Sequence, residues 1–211
     1  MGTGRRGRRG RDGSPGQGTF HEEHLPPQAR ALLAAYAGLV RRWAPRLDLV
    51  APGDLERLEL RHVADSLRLL PLVRSVPAGP AVDVGSGAGL PGIPLAIAEP
   101  SRLWRLLEPR RRRAAFLEEV VRALSLDCEV IALPAERAAG EAHLRATHAF
   151  AVARAVAPPA RAFRLLAPLV APTGVAAVFL GRARVPRGAE EWQRGVAIMR
   201  SEGEGDPGGG A

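Results

Sequence analysis

The sequence predicts an α/β protein, a doubly wound and mostly parallel sheet behind an N-terminal helical cap. Three observations predict it. Residues 81–94 read Ala-Val-Asp-Val-Gly-Ser-Gly-Ala-Gly-Leu-Pro-Gly-Ile-Pro, a β-branched run that breaks into alternating glycines and resumes as an apolar helix. Downstream, short apolar runs alternate with helical patterns at the interval of βαβ units. Upstream, apolar residues recur at helical spacing instead. A length of 211 residues and a hydrophobic content of 46% suit one domain with a small helical extension.

Residues 1–18 hold seven glycines and five arginines without apolar periodicity, which predicts a disordered arm. Arg5, Arg6, Arg8, Arg9 and Arg11 either meet nucleic-acid phosphates or form a solvated tail, such as a misassigned start would leave. His21 and His24 have no third ligand cluster beside them, so no metal is expected.

Residues 19–76 form the expected cap. A helix over 27–46 turns Leu32, Leu33, Tyr36, Leu39, Val40 and Trp43 inward. Pro52 and Gly53 break it, Asp54 can cap, and a second helix is expected over 55–70 with Leu58, Val63, Leu67 and Leu70 inward. On that helix His62 and Asp65 share a face, which taken alone reads as a surface pair.

Residues 77–200 form the expected sheet domain. Its strands are predicted at 81–84, 103–107, 129–132, 149–153 and 175–180. Intervening helices run to Ala98, from the Arg110 to Arg113 run to Leu124, over 134–145, and from Pro158 and Pro159 onward. The four arginines oppose the helix dipole, and either grip phosphate or form a solvated face. Beyond Gly181 the pattern weakens: 189–194 reads as helical and 196–199 as a strand, with no seventh strand. Residues 201–211 read as a disordered Gly-rich tail. Parallel crossovers bring the strand ends, and so Asp83, Glu108, Glu136 and Arg154, to one rim.

The chain carries a net charge of +8 with a pI near 11.3, yet all 30 basic residues are arginine. Coding bias explains that pattern, so the basic balance is weak support for a nucleic-acid partner. Cys128 is alone in an apolar run, which excludes an internal disulfide and predicts a buried thiol. No stretch is long and apolar enough for a membrane span, and a cytoplasmic protein is expected.

Two ligand classes compete for the glycine loop. Gly87, Gly89 and Gly92 satisfy the dinucleotide fingerprint, and Glu108 lies about where a ribose-binding acid follows it. The spacing from the strand argues otherwise, because Asp83 and Gly85 come before the first fingerprint glycine. A carboxylate there suits a cationic ligand end. S-adenosyl-L-methionine carries an ammonium for Asp83 and a ribose diol for Glu108, and the methyl donor is the favoured reading over a nicotinamide dinucleotide.

Several separated segments then agree with one family. They are Arg61-His-x-x-Asp-Ser-Leu67 after a Trp-bearing helix, the loop from Asp83 to Leu95, Glu108 before an Arg-rich helix with Phe116-Leu117, Ala135-Glu136 and Arg154-Ala155. Over roughly residues 29–181 the chain resembles the bacterial 16S rRNA guanine-N7 methyltransferases, the RsmG or glucose-inhibited division protein B family. The resemblance implies a Rossmann-like S-adenosylmethionine-dependent methyltransferase domain. It implies a donor pocket using Gly85, Leu90, Ala135, Glu136 and Arg154, with Glu108 in the ribose role, to which the reading of the loop itself adds Asp83, Gly87 and Gly89. It makes His62 and Asp65 neighbours of the site, and the affinity of arginine for the guanine edge makes Arg154 the catalytic candidate, holding the donor or guanine O6. The partner it implies is 16S rRNA within a small ribosomal subunit or its precursor, with the protein a monomer needing no metal.

The chain departs from the family pattern at Trp43-Ala-x-x-x-Asp48-Leu-Val50, at Leu180-Gly181, and in lacking a recognisable final hairpin and basic C-terminal segment. Those departures keep two alternatives open: a same-fold methyltransferase with another substrate, and a decayed non-catalytic paralogue without the C-terminal hairpin.

Overall fold

The computed structural model describes residues 25–201. The expected arm, His21 and His24, and the tail beyond Ser201 lie outside them. Seven strands form one sheet: β1 (Ala81–Val84), β2 (Trp104–Leu107), β3 (Cys128–Ile131), β4 (His148–Arg154), β5 (Val170–Phe179), β6 (Glu190–Gln193) and β7 (Val196–Arg200). The order is β3-β2-β1-β4-β5-β7-β6. The first five strands are parallel, whereas β7 runs antiparallel to β5 and β6 antiparallel to β7. Strand order reverses between β1 and β4, which opens a crevice at the carboxyl ends of those strands.

The helices are α1 (Pro27–Leu47), α2 (Pro52–Leu55), α3 (Ala64–Leu67), α4 (Leu70–Ser75), α5 (Gly92–Ala98), α6 (Arg111–Leu124), α7 (Ala135–Ala138) and α8 (Pro159–Leu166). Side chains alternate along the strands, so the sheet feeds two cores. Trp104, Leu106, Phe150, Val152 and Ile198 pack under the cap, α5 and α6. Val82, Leu107, Ala151, Ala153 and Val178 pack under α7 and α8. Strands buried on both faces need continuous apolar runs, and that made β1, β2 and β4 easy to find.

Three expectations are corrected. The C-terminal hairpin is present, and residues 190–193 form β6 instead of a helix. Arg194 and Gly195, the latter at φ 82°, make the two-residue turn into β7. The expected helix over 55–70 is broken into α2, a π-helical segment Leu58–Val63, and α3. The helix after β3 stops at α7, and residues 139–147 turn back toward β4.

Candidate functional site

The glycine loop leaves β1 and is tied to β2 from both sides. Gly85 and Ser86 donate their N–H groups to the Leu107 carbonyl at 2.8 and 3.0 Å. Gly87, at φ 57°, donates its N–H to Glu108 Oε2 at 2.9 Å, and Arg110 N–H reaches Glu108 Oε1 at 2.9 Å. A carboxylate offers about four acceptor positions, so Glu108 keeps capacity for hydroxyls above it. A Cβ at Gly87 would meet nothing closer than the Gly85 carbonyl at 3.8 Å, so this glycine faces open space.

The other glycines serve packing. A Cβ on Gly89 would lie 2.6 Å from Ile93 Cγ1, and one on Gly92 would lie 2.6 Å from Leu106 and 2.8 Å from Asp83 Oδ2. Leu90 is buried in the core under the cap. Gly85 lies under Val156, whose Cγ2 is 2.7 Å from where a Gly85 Cβ would stand.

Asp83 is placed differently from the expectation of a ligand-facing carboxylate. It is fully buried, and Oδ2 accepts the Gly92 N–H at 3.0 Å, which anchors the start of α5. Oδ1 has no partner. Burial pushes its pKa up to about 7. Tyr36 from α1, also fully buried, donates its hydroxyl to the Ala88 carbonyl at 2.8 Å and so pins the loop from the cap side.

Two cavities open along the rim. The first, about 200 Å³, lies among Gly85, Leu107, Pro134, Ala135, Glu136 and Leu165, at the ends of β1, β2 and β3. Glu136 is exposed on its wall, 3.8 Å from Arg161. Apolar walls with the Glu136 carboxylate among them and the Gly85 backbone at one end fit the adenosine part of S-adenosylmethionine. The second cavity, about 640 Å³, is lined by Asp65, Arg68, Arg154, Phe179 and Arg194 among others. Ala157, on the loop after β4, lines both. Arg154 therefore lies in the second cavity and away from the first.

Cap residues hold Arg154 in place. Its Nη2 lies 2.6 Å from His62 Nδ1, its Nη1 3.5 Å from Asp65 Oδ2, and its Cζ 5.2 Å from the Phe179 ring centroid. A guanidinium only donates, so Nδ1 must accept and His62 must be neutral with its proton on Nε2. Nε2 lies 3.4 Å from Asp54 Oδ2 without a hydrogen bond. Burial first, and Arg154 second, lower the His62 pKa. Tyr36, Asp54, Arg68 and Phe179 escaped sequence reasoning as site neighbours. Tyr36 and Phe179 look like core residues in a periodic pattern, and only the fold brings them to the rim.

Comparison with known proteins agrees with this architecture. The family model described as rRNA small subunit methyltransferase G matches residues 29–194. The chain is 42% identical over 177 residues to the ribosomal RNA small subunit methyltransferase G of Acidiphilium cryptum, covering 81% of this chain and 76% of that protein. It is 40% identical to the protein of that name in Frankia alni, covering 82% of this chain and 67% of the other. A methyltransferase structure from Geobacter sulfurreducens shares the fold at 16% identity, with a TM-score of 0.55, over 85% of this chain and 94% of that one. The chain belongs to the rRNA small subunit methyltransferase G family.

Proposed function

We infer that the first cavity holds the methyl donor, that the second holds the acceptor base, and that the loop after β4 is where they meet. The chain is an S-adenosylmethionine-dependent methyltransferase acting on N7 of a guanine in 16S rRNA. The observation carrying the assignment of sites is that both cavities share Ala157 and lie on one rim, with Gly85 of the glycine loop in the first and Arg154 in the second.

S-adenosylmethionine supplies an electrophilic methyl group on a sulfonium. Guanine N7 carries an in-plane lone pair and no proton, so the protein needs no general base. Its task is placement, which supplies roughly 7–11 kcal/mol in favourable cases. Gly85 and Gly87 bring backbone close to the donor, Glu108 accepts the ribose hydroxyls, and Ala135 and Glu136 border the purine. Asp83 supports the loop from beneath, and Gly89 and Leu90 hold it against the core. Arg154 donates to guanine O6, an edge arginine reads well. The acceptor RNA is presented within the small subunit or its precursor, and one copy of the chain supplies every group named.

Calorimetric titration of the purified protein with S-adenosylhomocysteine tests the donor site. Binding is expected in the native chain and is expected to vanish in Gly87→Arg, which puts a long charged side chain on a loop residue whose φ of 57° and N–H bond to Glu108 suit glycine. Undiminished binding by the variant would remove the loop from the donor site. Methyl transfer to small subunits lacking the modification tests the reaction, and Arg154→Ala should abolish it while leaving donor affinity unchanged.

A further inference from the structure

Asp65 sits in the second cavity with unused accepting capacity. Its Oδ1 takes Arg68 Nη1 at 2.8 Å, while Oδ2 has only the longer approach to Arg154 Nη1 at 3.5 Å. Arg154 meanwhile is held on His62 by both terminal nitrogens, Nη2 on Nδ1 at 2.6 Å and Nη1 on the carbonyl at 3.5 Å, and each of these nitrogens carries a second N–H. The cavity thus presents a donor and an acceptor side by side, on two elements, α3 and β4, with Arg68 on Asp65, His62 on Arg154 and a 3.5 Å approach between the two. The Phe179 ring lies beside them in the same lining.

Adjacent atoms on the six-membered ring of guanine offer the complement. O6 accepts, and N1–H and the 2-amino group donate. Adenine reverses the order, with a donating 6-amino group beside an accepting N1, so it would set donor against donor and acceptor against acceptor. A base held by O6 and N1–H also keeps N7 free of protein partners, as a nucleophile must be. We propose that Asp65 and Arg154 act as a base-reading pair in which Arg154 donates to O6 and Asp65 accepts from N1–H and the 2-amino group, selecting guanine over adenine. This rests on the reading of the second cavity as the acceptor site, and it makes Asp65 the specificity-determining residue.

The test is binding of free nucleotides to the full chain saturated with S-adenosylhomocysteine, followed by calorimetry or NMR titration. GMP should bind tightest. IMP, which lacks the 2-amino group, should bind several-fold more weakly, and AMP at least about tenfold more weakly, as two mismatched hydrogen bonds demand. Asp65→Asn places an amide N–H₂ or a single neutral acceptor where a carboxylate took two donors. It should compress the GMP-to-AMP spread to within about threefold without changing S-adenosylhomocysteine affinity. Equal binding of GMP and AMP by the native chain, no binding of GMP, or an undiminished spread in Asp65→Asn would each overturn the proposal. Should that variant fail to fold, Asp65→Ser takes its place, and a GMP-over-IMP preference that survives there would assign the 2-amino contact to another group and overturn the proposal. Failure of the underlying methyltransferase reading shows separately, as absence of transfer to small subunits by the native chain.

Discussion

Asp83 shows how one buried carboxylate can serve the fold at a cost. Its Oδ2 anchors α5 through Gly92, but its other oxygen is left without a partner, and burial holds its pKa near 7 against an ordinary 3.8. A group whose folded pKa is raised contributes stability below its unfolded pKa and loses it as pH rises through the folded one. For Asp83 that loss runs from about pH 4 to above pH 7. His148 has the opposite slope. Fully buried, with Nδ1 donating to the Leu169 carbonyl at 2.9 Å, it has its pKa lowered chiefly by burial, so it costs stability as pH falls through the ordinary imidazole range. Asp83→Asn keeps an acceptor for Gly92 and removes the buried charge. Urea unfolding should find the variant more stable than the native chain at pH 8, by about 1–4 kcal/mol, with the gap closing toward pH 4. A gap that does not depend on pH would mean that Asp83 titrates alike in the folded and unfolded chain, so that burial does not raise its pKa.

Close approach of whole elements depends on Gly92, the first residue of α5. There a methyl group would press on Leu106 and on both Cβ and Oδ2 of Asp83, within 2.6–2.9 Å. Gly92→Ala should therefore push α5 off β1 and β2, costing about 1–3 kcal/mol as a lowered urea midpoint with an unchanged m-value. An unshifted midpoint would show that α5 has room to move. The sequence carries such elements unevenly. The parallel strands were legible because burial on two faces forces apolar runs, and the glycine loop because only glycine tolerates its turns. β6 was not, because Glu190, Glu191, Trp192 and Gln193 form a half-exposed edge strand whose register comes from β7. The π-helical segment was not either, because its apolar residues still recur at near-helical spacing. There the His62 carbonyl takes the Ser66 hydroxyl at 2.6 Å. The wider π-helical turn ends beside His62, whose ring meets Arg154. Of the site, Glu108 and Arg154 were legible as strand-end residues and Gly87 as part of the glycine loop, while the burial of Asp83 depends on packing around Gly92 that only the fold supplies.

At the scale of the molecule, cap and sheet work as one body. Tyr36 holds the glycine loop, His62 and Asp65 hold Arg154, and Arg113 on α6 donates to the Asp48 carbonyl at the end of α1. The hairpin closes the other flank. β7 covers β5 from Val175 to Phe179, and the turn at Arg194 and Gly195 walls the second cavity while the Arg194 carbonyl accepts Arg68 Nη2 at 2.8 Å. Removing residues 190–211 would uncover β5, whose Val175, Ala176, Ala177 and Val178 are all buried, and leave a long apolar edge. Light scattering should show that truncated chain aggregating, whereas a chain ending at residue 201 should remain monodisperse. The two truncations separate the hairpin from the Gly-rich segment after it. If the shorter chain stays monodisperse, binds S-adenosylhomocysteine and still prefers GMP over AMP, the hairpin is dispensable to both cavities. If it aggregates, β7 is required to finish the sheet, and the chain's apparent loss of a C-terminal hairpin is only a change in the residues that build one.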